Sequence, residues 1–145
     1  MYNDPLSLSR PRNHPLTAEE VLAKGGWHPR YARVIAVTSD GACGFALIDG
    51  NGDGQELEAE VWTWQEGSWM ANGSSCAGPL CGVGPVRSGG QIDNAYFAYG
   101  SAPGQQVISI SFDGRLYPTP VNRHGIWAFI RIRTDPQGHG LPTPA

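Results

Sequence analysis

The sequence predicts an all-β domain: an antiparallel β-sandwich or partly closed barrel of about seven or eight strands, with one short N-terminal helix. Three observations carry this. From Tyr31 onward the hydropathy period is two, the spacing of a half-buried strand. The apolar runs are parted by Asp-Gly and other Gly-containing joints, which supply the positive φ of tight hairpins. Five Trp, five Tyr and four Phe provide core area, and 20 Gly with 12 Pro stay below the share of roughly 25–30% that marks low-complexity chains.

The elements follow in chain order. Residues 1–16 are polar and interrupted by Pro5, Pro11 and Pro15, so they predict an irregular arm. Thr17-Ala18-Glu19-Glu20 is a capping box, followed by Val21, Leu22 and Ala23 and stopped by Gly25, which predicts a helix over 18–24. Strands are expected over 31–38, 43–49, 55–65 and 67–71, joined as an antiparallel meander. Residues 72–94 are small, Gly-rich and without period, so they predict a long mobile loop. Strands resume near 95–100, 105–112, 115–121 and 125–133, with turns at Asp113-Gly114 and His124-Gly125. The region 17–133 thus reads as one β domain, and 134–145, with Pro136, Pro142 and Pro144, as a disordered tail. Over its second half the pattern resembles part of an immunoglobulin-like domain.

Charge narrows the function classes. The net charge of −3 argues against a broad nucleic-acid-binding surface. No apolar run reaches the ~18 residues of a membrane helix. Residues 1–10 have no apolar segment of signal-peptide type, and Cys43, Cys76 and Cys81 form an odd set, which together imply reduced thiols and a cytoplasmic location. Between Arg33 and Arg87 there is no Lys or Arg, while seven acidic residues give that stretch a charge of −7. Either this is an acidic face for a cation or basic partner, or Glu58 and Glu60 pair with Arg131 and Arg133 across neighbouring strands, with Trp62, Trp64, Trp127 and Phe129 stacked alongside.

One motif carries chemistry. Residues 49–60, Asp-Gly-Asn-Gly-Asp-Gly-Gln-Glu-Leu-Glu-Ala-Glu, satisfy D-x-[DN]-x-[DN]-G-x5-E. The stretch resembles the EF-hand calcium loop. That resemblance implies side-chain ligands from Asp49, Asn51 and Asp53, a backbone carbonyl from Gln55 and a bidentate Glu60, because calcium takes 6–8 hard oxygens. EF-hand loops sit between helices, however, and both flanks here read as strands; Glu56 and Leu57 depart from the usual eighth and ninth positions. The segment is also similar to calcium hairpins between the strands of some β-propeller repeats, whose later acidic ligand would fall at Leu57. The simpler reading is a Gly-rich hairpin with Asp and Asn accepting backbone bonds.

Other constellations are weaker. Cys76-x4-Cys81 lacks a paired-histidine partner for zinc, and no nucleophile–base pair is evident. The leading expectation is therefore a non-enzymatic interaction module for a protein or peptide partner, using Trp62, Trp64, Arg131 and Arg133, with homodimerisation through short strand edges as a further expectation; against the Trp platform stands the commoner role of Trp62, Trp64 and Trp69 in a small sandwich, which is core. The alternatives are a calcium-dependent module on Asp49–Glu60, and an enzyme or binding protein with a barrel cavity, lidded by 72–94 and lined by Asn94, Tyr96, Tyr99 or His124.

Overall fold

The computed structural model describes residues 13–85 and 88–145. The one helix among them, α1 (Ala18–Lys24), starts where the capping box places it. The Thr17 hydroxyl accepts from Glu20 N at 3.2 Å, and Glu20 Oε1 accepts from Thr17 N at 3.3 Å. Residues 1–12 of the expected arm lie outside the described residues. Residues 13–16 are docked: Asn13 Nδ2 donates to Gly41 O, Trp69 Nε1 donates to His14 O at 2.8 Å, and Leu16 is buried.

Among the described residues ten antiparallel strands form three sheets, an all-β, sandwich-like fold. The first sheet contains β1 (Arg33–Asp40), β2 (Cys43–Asp49), β3 (Leu57–Gln65) and β4 (Ser68–Gly78) in chain order. The second contains β5 (Ser88–Ile92) and β6 (Ala95–Ser101), with β9 (Ile126–Ile132) beside β6. The third contains β7 (Val107–Phe112) between β8 (Arg115–Pro120) and β10 (Thr143–Pro144). No helix among the described residues is long and apolar enough to cross a membrane.

Three apolar clusters separate the layers. Leu16, Val21, Ala46, Ile48, Trp62 and Trp69 lie between α1 and the first sheet. Phe45, Leu47, Leu57, Tyr99 and Ile130 lie between the first and second sheets, with Phe45 stacked on Phe97 at 4.9 Å. Ala98, Ile110, Phe112, Trp127 and Phe129 lie between the second and third. Alternation assigns each strand's residues to its two faces. In β2 both faces are covered, which is why the whole strand is buried and reads as a continuous apolar run.

Three expectations need correction. Residues 72–94 are not one long loop: β4 continues to Gly78, a 3-10 turn spans Leu80–Gly82, and β5 begins at Ser88. These strands are held by ladder bonds to β3 and β6 rather than by alternating burial, so their sequence has no hydropathy period. The expected tail is tied down in part, with Thr143 and Pro144 paired to Ser111 and Ile110. Finally, β3 and β9 belong to different sheets, so Glu58 and Glu60 do not form a ladder with Arg131 and Arg133.

Candidate functional site

The Asp49–Glu60 segment is a closed strand connection. Asp49 is buried at the end of β2, and its carboxylate accepts from Gly52 N at 3.1 Å and Gly54 N at 2.7 Å. Asp53 Oδ1 accepts from Gln55 N at 3.0 Å. Gly52 has φ 73°, and a Cβ there would stand 2.3 Å from Tyr31 O, so both its backbone angle and its surroundings require glycine. Asn51 and Gln55 are exposed.

The connection leads into a strand, and this separates the residues the calcium pattern would join. Asp49 is the register partner of Leu57, on the face turned to the second sheet. Glu60 is three residues further, roughly 10 Å along an extended chain, and on the opposite face. There Glu60 Oε1 accepts from Trp27 Nε1 and Trp62 Nε1, each at 3.2 Å. Asp49 and Glu60 therefore do not meet around one point. Among the described residues no three of His, Cys, Asp and Glu come together as a metal-ligand set. Burial pushes the Glu60 pKa up, the two indole donors oppose that, and neighbouring Glu58 adds to the rise.

The four residues expected to bind a partner have separate fates. Trp62 is fully buried and offers no surface, a correction that follows from α1 covering this face of β3. Trp64 is half-buried, edge-on to Trp69 at 5.6 Å and to His14 at 5.0 Å. Arg133 is an internal clamp: it pairs with Asp113 at 2.8 Å, donates to Gly140 O at 2.7 Å, and lies 4.0 Å from the Tyr96 ring centroid. Arg131 lies against Tyr117 and Phe129 and donates to Ile130 O at 2.8 Å, beside a cleft of about 190 Å³ between β1, β8 and β9.

The residues expected around a barrel mouth do not share one. Tyr99 is in the core against Phe45, Tyr96 lies under Arg133, and Asn94 and His124 are exposed at separate turns. Cys76 and Cys81 are exposed free thiols, whereas Cys43 is buried, and burial raises its pKa.

What the sequence reading missed is the outer edge of β4. Met70 through Cys76 are all exposed, and the strand Ser68–Gly78 contains neither a charged residue nor a proline. Sheet edges are usually blunted by such residues, by bulges, by shortness or by cover; β4 has bulges at Asn72 and Ala77 in its register with β3 but no charge or proline, and the other edges each carry one of the remaining devices. β8 carries Pro118 and Pro120; β5 and β10 have only five and two residues. β1 is engaged by Asn122, which donates to Ile35 O at 2.7 Å, and its own Asp40 accepts from Ile132 N of β9 at 2.9 Å; β9, the remaining edge, carries Arg131. Beside β4 runs a groove of about 220 Å³, with Phe45, Val61 and Phe97 on its floor and Ser75 and Gln91 on its walls. The signal in the sequence was the run of small uncharged residues flanked by Trp69 and Ala77, both buried in the structure.

No family model, curated protein or solved structure matches the chain.

Proposed function

We propose that the protein is a non-enzymatic interaction module that captures an extended segment of a protein partner by strand addition to β4. The observation that supports this reading is the seven-residue exposed stretch Met70–Cys76 on an edge without charge or proline. In strand addition, main-chain hydrogen bonds give affinity and alternate side chains give specificity. An added segment would turn every second side chain toward the groove floored by Phe45, Val61 and Phe97. The exposed Glu56 and Glu66, near the two ends of the β3–β4 pair, favour a segment with basic residues at its ends.

The test is selection of peptides from a random display library against the intact chain, followed by amide chemical-shift mapping. The expected result is a family of extended binders that perturb the amides of residues 70–76. Ser75→Lys should weaken them while leaving thermal stability unchanged. Binders that map to another face, or failure to select any, would sink the proposal. A concentration-dependent dimer abolished by Ser75→Lys would replace the partner segment with a second copy of this chain.

A further inference from the structure

Arg123, Arg131 and Arg133 belong to β9 and its flanks, and they are held differently. Arg133 is paired with Asp113, and Arg123 is exposed at the turn before β9. Arg131 is half-buried, yet among the described residues no carboxylate stands within ion-pair distance of it. Its guanidinium lies 5.0 Å from the Tyr117 ring centroid and 4.9 Å from that of Phe129. Rings engage the faces of this planar group, so its N–H donors, which lie in the plane, stay available along its edge. One of them, on Nη1, is spent on Ile130 O at 2.8 Å. A partly desolvated cation without a counterion gains from an anion that reaches its remaining donors.

The space for that anion is the cleft of about 190 Å³ between β1, β8 and β9, where Arg131 is the one ionisable side chain on the wall among the described residues. The other polar side chains there are Thr38, Thr119 and Asn122. Thr119 donates to Tyr117 O at 3.1 Å. Asn122 donates to Ile35 O at 2.7 Å and accepts from His124 N at 2.9 Å and Ile126 N at 3.2 Å. The Thr38 hydroxyl takes part in no hydrogen bond among the described residues. The donors left over in the cleft are thus a guanidinium edge on β9 and a hydroxyl on β1.

The rest of the wall is apolar, from Pro118, Pro120, Ile126, Ala128 and Phe129. It is also preformed. The prolines are stiff, and the β1–β9 seam is fixed by Asn122 at Ile35 O and by Asp40, which accepts from Ile132 N at 2.9 Å. Size narrows the occupant. A cavity of about 150 Å³ holds benzene, so this cleft suits one small ring or a short chain rather than a drug-sized molecule, whose sites run to ~300–1,000 Å³. The guanidinium fork matches the two oxygens of a carboxylate, and apolar walls favour a body that inorganic anions lack.

We infer that this cleft binds a small monocarboxylate with an apolar body, its carboxylate held by Arg131 and Thr38. The site lies at the β1 end of the first sheet, opposite the β4 edge, and is independent of it.

The test titrates the native chain with benzoate, with benzamide (the same ring without the charge) and with inorganic phosphate (charge without a ring). Ionic strength is held constant near neutral pH, and 1H–15N spectra include the arginine Nε–H signals. Benzoate should produce saturable shifts at the amides of 36–38 and 128–131 and at the Arg131 Nε–H. Benzamide and phosphate should both bind more weakly. Arg131→Gln should weaken benzoate about 10-fold or more, the worth of a hydrogen bond to a charged group, and erase its preference over benzamide. Should Arg131→Gln fail to fold, Thr38→Val keeps a β-branched shape in the strand and should weaken benzoate by a similar factor. Benzoate shifts that do not saturate at these residues up to its solubility overturn the proposal, as do shifts centred on other arginines. Equal affinity for benzoate and benzamide in the native chain overturns it too. So does phosphate binding as tight as benzoate, which would make Arg131 an unselective anion contact.

Discussion

Glu60 illustrates how far a residue's role depends on what covers it. Burial raises its pKa, so the folded chain holds this proton more tightly than the unfolded one. Glu60 therefore contributes most to stability below the ordinary carboxylate range, and that contribution is lost as pH rises through its raised folded value. Replacing it by Gln keeps an acceptor for the Trp27 and Trp62 indoles and removes the charge. Urea midpoints from about pH 4 to pH 8 should then fall less steeply with pH for Glu60→Gln than for the native chain. Glu60→Leu should be destabilising, since each indole left without an acceptor costs about 1–3 kcal/mol. Thr17 is the opposite case. Its capping partners are within three residues, so its role was legible from the sequence, and Thr17→Ala should cost about 1 kcal/mol in the same experiment. Nothing local announces that Glu60 will meet Trp27, which is 33 residues away.

Among the elements, the connection from β2 to β3 makes the sharpest prediction about metal. Asp49 is occupied by Gly52 and Gly54 N–H groups, and Glu60 is on the other face of the sheet. Thermal midpoints in excess EDTA and in millimolar calcium should coincide, for the native chain and for Asp53→Ala alike. A calcium-specific rise would show that the loop rearranges to gather its oxygens. The β7–β8 hairpin carries a second prediction. Asp113 and Arg133 are 11% and 12% exposed as side chains, and Arg133 also holds Gly140 O. Asp113→Asn should weaken that clamp and speed amide exchange over 139–145 while leaving β2 protected. At this scale most strands were legible, because alternation and Asp-Gly joints are local. The part of β4 beyond Ala71, and β5, were not, because ladder bonds between small residues leave no hydropathy signature.

For the whole molecule, β2 takes part in two clusters and so does β9, so the layers share strands rather than standing alone. Unfolding followed by Trp emission and by far-ultraviolet dichroism should therefore superimpose as one transition. Phe45→Ala, at the centre of the Phe97 and Tyr99 stack, should cost about 3–5 kcal/mol. The helix, its cap, the antiparallel hairpins and the all-β class were all readable from the order of residues. Each of these rests on spacing or turn chemistry within a few residues. Tertiary structure alone decided which sheet covers which face. Alternation reveals that a strand has two faces but not what lies against either. That is why Trp62 is core rather than platform, and why Asp49 and Glu60 are parted. Both depend on contacts between strands distant in the chain, made by burial that no local pattern encodes.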